Sequence, residues 1–252
     1  MSKSYRQFCG LARALDVVGE RWTLLVVRNL LLGPKRYGAL LDQLPGITTN
    51  LLAKRLREMS DEGLVVRTQL PPPANVAAYE LTDAGRALEP AVMALAGWGS
   101  RFMDAPRKGD AVDIGWGLLS LKRRYRGGES LAAELRIDDR VFSVEMEATR
   151  LSVEERPTSR ADLTLGGSTG AFASFFFQGP PTPERARPSG ISIVRGDDAV
   201  LARFLAAFNA PAARANPTAS RPGGTREAGR PRPDPGKPRP RARSGRRPTL
   251  DI

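Results

Sequence analysis

The sequence predicts a helical first domain carrying one β-hairpin, a second domain of the α+β class, and a basic tail without a core. Three observations predict this. Between Gly10 and Met103 apolar residues recur at helical spacing, interrupted by one alternating, proline-broken stretch. Between Leu131 and Phe208, runs of period-two alternation are interleaved with helical ones. Beyond Ala210 the chain is nearly all Pro, Arg, Gly, Ala and Ser, with scarcely any large apolar residue before Leu250. The expected domains are residues 1–103 and 114–210, joined by a polar linker over 104–113, with 211–252 as a disordered tail that buries too little to offset chain entropy.

Taken in order, Gly10 to Leu32 reads as two helices around a break at Gly19, and Gly33-Pro34 stops the second. A short helix spans Tyr37 to Leu44. Pro45-Gly46 then turns the chain, and the Thr48 hydroxyl can cap a helix running from Thr49 to Glu62. At roughly 100° per residue, Leu51, Leu52, Leu56 and Met59 of that helix fall in one arc, and Thr49, Asn50, Ala53, Lys54 and Arg57 fall in the opposite one. Arg55 falls among the apolar residues, so an internal ion pair is expected of it. Gly63 ends the helix, Leu64 to Leu70 and Ala77 to Leu81 pair as a hairpin around Pro71 to Pro73, and Thr82 caps a last helix running toward Met103 with a kink at Pro90.

In the second domain, Leu131 to Ile137 and Arg140 to Glu147 should pair through a turn at Asp138-Asp139. Leu151 to Glu155, Asp162 to Leu165 and Ile191 to Val194 complete the strands, and Ala171 to Phe177 and Ala199 to Phe208 are helical. Asp162, Asp197 and Asp198 read as turn and cap residues rather than a catalytic carboxylate pair.

The net charge of +12 is uneven. Residues 211–252 carry eleven Lys or Arg against three acids, residues 1–103 thirteen against nine, and residues 104–210 fifteen of each. Basic ends favour polyanionic partners through counterion release, though such tails are often simply solvated. There is no histidine, which removes the commonest general base and zinc ligand, and a single cysteine precludes an intramolecular disulfide. No catalytic residue, metal site or cofactor is therefore expected. With no apolar run of roughly 18–20 residues and no apolar core to the MSKSYRQFCG start, no membrane partner is expected and a cytoplasmic location is.

Helix, turn, helix and two-stranded hairpin in this order make a winged helix-turn-helix, whose second helix enters the major groove of double-stranded DNA. The expected contacts are Thr48, Thr49, Asn50, Lys54 and Arg57 from that helix, with Asn50 suited to adenine and the two cations to phosphate or guanine. Lys35, Arg36 and Tyr37 could grip the backbone, and Arg67 and Asn75 of the hairpin the adjacent minor groove. The bland alternative is an ordinary solvated helix face.

The run CGLARALDVVGERWTLLVVRNLLLGPKRYGALLDQLPGITTNLLAKRLREMSDEGLV, followed by YELTDAGRALEPAVMALAGW, resembles the HxlR-type winged helix-turn-helix regulators of bacteria over residues 9 to 98. The resemblance implies a homodimer built largely from the first and last helices, a palindromic operator, and a recognition helix from Thr48 to Glu62. It also implies two readings of Cys9: a buried structural thiol, or a redox sensor whose thiolate Arg6 and Arg13 could stabilise. RADLTLGGSTGAFASFFFQG and GISIVRGDDAVLARFLAAF more distantly resemble the sterol carrier protein fold, which implies an apolar pocket for a small hydrophobic effector. Phe172, Phe175, Phe176 and Phe177 would line it, opposite Leu201, Phe204, Leu205 and Phe208; the alternative is a closed core, the commoner fate of such residues. The rival function is a hydrophobic-ligand carrier whose winged domain mediates protein contacts, with an enzyme third.

Overall fold

The computed structural model describes residues 4–72, 74–104 and 107–208. The tail expected to be disordered lies outside the described residues. Helix α1 (Gly10–Val18) ends where the Gly19 N–H donates to the Leu15 carbonyl at 2.9 Å. Helix α2 (Thr23–Leu30) restarts after Trp22, which holds a left-handed φ of 81°. After α2 the chain turns through Gly33, at φ 106°, into α3 (Tyr37–Asp42).

Helix α4 (Thr49–Asp61) starts where the Thr48 side chain accepts from the Leu51 N–H at 3.3 Å. It ends as a Schellman motif: the Gly63 N–H donates to the Ser60 carbonyl at 3.0 Å and the Leu64 N–H to the Met59 carbonyl at 2.8 Å, with Gly63 at the φ of 69° that such an end requires. Its inner face buries Leu52, Leu56 and Met59, each worth about 1.5–3 kcal/mol. The hairpin follows as β1 (Val65–Gln69) paired antiparallel with β2 (Ala77–Leu81), in register from Val65↔Leu81 to Gln69↔Ala77. Lys35 adds a one-residue third strand, exchanging both backbone hydrogen bonds with Tyr79.

The single kinked helix expected after Thr82 is instead two, α5 (Asp83–Arg86) and α6 (Glu89–Gly99), with a 3₁₀ turn over Ser100–Phe102. Pro90 lacks an N–H and its ring would clash with the carbonyl four residues back, so it starts a new helix in the first turn rather than bending an old one. The described residues of 104–112 form no helix or strand. Asp113 then accepts from the Gly115 N–H at 2.7 Å and caps α7 (Ile114–Arg124), a helix the sequence reading omits. Its signals are present: a capping Asp, apolar Ile114, Leu118, Leu119 and Leu121, and three cations in the last turn.

The α+β expectation for the second segment is met by a five-stranded sheet in the order β5-β4-β3-β6-β7. The strands are β3 (Leu131–Ile137), β4 (Arg140–Met146), β5 (Leu151–Glu154), β6 (Leu163–Gly167) and β7 (Ser192–Arg195). Only the β3/β6 pair is parallel. Helices α8 (Thr169–Phe177), α9 (Pro183–Ala186) and α10 (Asp198–Ala206) complete the unit. Asp197 acts as the cap residue expected, accepting from the Val200 N–H at 2.9 Å, whereas Asp162 accepts from the Ala132 N–H at 2.9 Å and ties the entry of β6 to the start of β3 instead of closing a local turn.

The two segments are packed together through polar contacts at the end of α2 and the start of α6. The Glu155 N–H donates to the Leu32 carbonyl at 2.7 Å, the Trp116 indole N–H to Asn29 Oδ1 at 2.8 Å, and Lys122 pairs with Glu89 at 2.7 Å. A continuous set of buried apolar side chains runs from Val26 and Leu52 in the first segment to Phe142 and Phe204 in the second.

Candidate nucleic-acid interface

The outer face of α4 is exposed because its apolar arc is fully used against the core. Thr48, Thr49, Asn50, Lys54 and Arg57 are all exposed, and the structure brings them onto one side of one helix. Lys54 approaches Glu58 at 3.9 Å across solvent, a contact of little energy; Arg57 has no ion pair among the described residues. The first turn of α4 contains no acidic residue, so its free N–H groups and positive dipole end stay available to a phosphate. Arg36, Arg67 and Asn75 are exposed as well, Arg67 on β1 and Asn75 near the hairpin turn at φ 39°, where it accepts from the Gln69 amide at 3.3 Å.

Two residues of the expected set do something else. Lys35 is buried and its ammonium is bound to the Glu155 carboxylate, so it does not reach the surface that a DNA backbone would meet. The cause is tertiary: Glu155 comes from the far end of β5, well beyond any window in which the sequence places a partner. Tyr37 is half-buried and donates from its hydroxyl to the Thr49 carbonyl at 2.6 Å, pinning the start of α4 to the start of α3. That makes it a positioning residue for the start of α4. Arg55 is buried as expected, with its guanidinium on Glu58 at 2.6 Å and Glu20 at 3.5 Å.

Cys9 is exposed in the single chain. It sits at the N-cap of α1, where hydrogen bonds from the Ala12 and Leu11 backbone hold the thiol below its ordinary range. In the second segment Phe172, Phe175, Phe176 and Phe204 are fully buried and lie ring against ring, at centroid separations of 5.0 Å for Phe175–Phe176, 6.1 Å for Phe172–Phe176 and 6.5 Å for Phe176–Phe204. Leu201, Leu205 and Phe208 are buried beside them. Phe177 is 40% exposed and turns toward Gly117, where an added Cβ would strike its ring.

Sequence reasoning missed the cluster at the foot of α2. Arg28 lies 3.8 Å over the Trp116 ring, and Asn29 Oδ1 accepts from Arg28 and Trp116 together. Burial pushes the Arg28 guanidinium down to about 10, still protonated at neutral pH. No local signal joins residues this far apart in the chain.

Among the described residues no group of three or more His, Cys, Asp or Glu could hold a metal ion, and no helix is long and apolar enough to cross a membrane.

Comparison with known proteins matches residues 17–107 to the HxlR-like helix-turn-helix family. An uncharacterized HTH-type transcriptional regulator of Synechocystis is 34% identical over 96 residues, covering 38% of this chain and 71% of that one. The HTH-type transcriptional regulator YodB of Bacillus subtilis is 32% identical over 99 residues, covering 39% and 86%. A relative from Mycobacterium tuberculosis reaches 40% over 96 residues, where the chain spans 60% of its length. Among solved structures, the reduced form of YodB from B. subtilis aligns at 29% identity and TM-score 0.34 over 40% of this chain and 100% of that one.

Proposed function

The chain belongs to the HxlR-like helix-turn-helix family of transcriptional regulators, and from that premise we propose that it binds a palindromic operator as a homodimer. The observation that carries this reading is the exposed arc of Thr49, Asn50, Lys54 and Arg57 on α4, a face with no packing role and with its first turn open to phosphate. Asn50 offers an amide that pairs with adenine, and Lys54 and Arg57 offer cations for phosphate or guanine. Thr48 and Arg36 flank the arc, and Arg67 and Asn75 extend it along the hairpin.

Dimerisation is supported by apolar side chains left in solvent on the first and last helices of the winged segment. Leu11 is 70% exposed on α1, and Leu95 is 51% and Trp98 60% exposed on α6, apolar area that a second copy could cover. The second segment is read as a sterol-carrier-like unit. Its mutually packed phenylalanines support a closed core there, and a hydrophobic effector among them would have to part those rings. Exposure of Cys9 supports the thiol-sensor reading.

The test is binding to DNA from upstream of the chain's own gene across a salt series, with random DNA as competitor. The triple variant Asn50→Ala/Lys54→Ala/Arg57→Ala is expected to lose about two orders of magnitude in specific affinity and to lower the salt slope by about 2, one for each cation removed. Equal, salt-sensitive binding of both proteins to both DNAs would overturn the reading and favour the hydrophobic-ligand carrier.

A further inference from the structure

A cavity of about 510 Å³ lies between α2, α3 and the chain that leads into α7, well within the range of small-molecule sites. Its composition is specific. Trp22, Leu25 and Leu44 supply flat and apolar wall, and Arg28 and Gln43 supply polar atoms on the side of α2 and α3. Arg28 keeps two hydrogen bonds to Asn29 and the field of the Asp113 carboxylate but has no carboxylate within ion-pair distance among the described residues, and Gln43 Oε1 has no partner there. Arg28 donates only to the neutral amide of Asn29, makes no ion pair among the described residues, and lies against Trp116 with its charge largely out of water. Such a guanidinium is a ready partner for an anion, because the cost of removing it from solvent is already met by the fold. Gln43 Oε1 is buried with no hydrogen-bond donor. An orphaned acceptor carries a penalty that a ligand N–H or O–H would remove. Trp22 is held at φ 81°, an unfavourable conformation for an aromatic residue, and it lines the cavity. On the far side Asp104, Arg107 and Asp110 complete the lining, with Asp110 accepting from the Arg107 N–H at 2.8 Å.

We propose that this cavity binds a flat aromatic carboxylate bearing a hydroxyl or amino donor: Arg28 holds the carboxylate, Trp22, Leu25 and Leu44 enclose the ring, and Gln43 Oε1 accepts from the donor. The site is distinct from the phenylalanine cluster of the second segment. Its walls come from α2 and the end of α3, the two helices immediately before α4, and the proposal extends the regulator reading by naming a ligand class and a place for it.

The experiment is calorimetric titration of the full chain, without DNA, with 6-hydroxy-2-naphthoate, with 2-naphthol as the same molecule lacking the carboxylate, and with tryptamine as an aromatic cation. Because no DNA is present, the result is independent of operator binding. The hydroxynaphthoate is expected to bind, and 2-naphthol to bind about tenfold more weakly or not at all, the loss of one charge-assisted hydrogen bond. Arg28→Met should weaken the acid by a similar factor while leaving 2-naphthol unchanged. Should Arg28→Met fail to fold, Gln43→Met, which keeps the side-chain length at the end of α3, carries the test and should weaken the acid several-fold. Absence of heat up to the solubility limit, equal affinity of wild type and a folded variant, or a preference for tryptamine would each overturn the proposal.

Discussion

At the scale of single residues, burial separates side chains of the same chemistry into different tasks. Lys35 and Lys54 are both lysines near the expected interface, yet the first is sealed against Glu155 and the second reaches solvent. Arg55 and Arg57 are two positions apart on α4, and the 200° between them puts one guanidinium on two carboxylates and leaves the other free. The Arg55 expectation was legible because helical spacing alone assigns a side chain to a face. The Lys35 role was not, because its partner lies 120 residues away. Cys9 is governed by local backbone geometry: the Ala12 and Leu11 backbone groups favour the thiolate at the start of α1. Its lowered range means that the thiolate populates at a lower pH than in the unfolded chain. Alkylation by iodoacetamide should therefore reach half its limiting rate at a lower pH in the native protein than in urea. Coincident profiles would show that the helix start has no hold on the sulfur.

At the scale of elements, the winged segment is locally specified almost throughout. The Thr48 and Thr82 caps, the Gly63 helix end and the hairpin strands follow from residue types at fixed offsets, and each occurs where the pattern puts it. The exceptions are instructive. Pro90 divides a helix instead of bending it, since the backbone had an alternative start available in Leu88 and Glu89. The junction between hairpin and α5 depends on a residue with no side chain: a Cβ on Gly85 would run into the Leu64 carbonyl oxygen and crowd Leu81. Gly85→Ala should therefore destabilise the chain by about 1–3 kcal/mol, although alanine is the better helix former. Urea denaturation measures this, and an unchanged or raised midpoint would mean that the hairpin shifts freely against α5. Helix α7 was missed although its cap and apolar face are visible, because it follows directly on a polar stretch read as linker.

At the scale of the whole molecule, the segments are tied by a charged network that neither contains alone. Glu155 accepts from Lys35 on one side and from Arg140 at 2.6 Å on the other, and Arg140 also pairs with Asp113 at 2.9 Å. Burial alone would raise the Glu155 carboxyl, but the Arg140 guanidinium and the Lys35 ammonium together hold it below the usual carboxylate range. A folded value below the unfolded one gives stabilisation that is complete above the ordinary glutamate range, near about pH 4.3, and is lost as pH falls through the folded value. Glu155→Gln should accordingly cost about 3 kcal/mol near neutrality, where it strands the Lys35 charge and leaves Arg140 with Asp113 as its carboxylate partner, and progressively less as the solution is acidified. Denaturation midpoints of both proteins at several pH values check this; a difference that is constant with pH would show that the carboxylate charge is not what joins the segments. Sequence by itself determined the order of elements from α1 to the hairpin, their caps and turns, the strands of the sheet, the outward arc of α4 and the family resemblance of residues 9 to 98, because each depends on periodicity and residue type within a few turns of chain. Tertiary structure alone decided that Lys35 belongs to an internal ion pair, that Tyr37 clamps the start of α4, and that Arg28, Gln43 and Trp22 meet at one cavity. Those outcomes depend on which distant side chains share a volume from which water is excluded, and no local pattern encodes that.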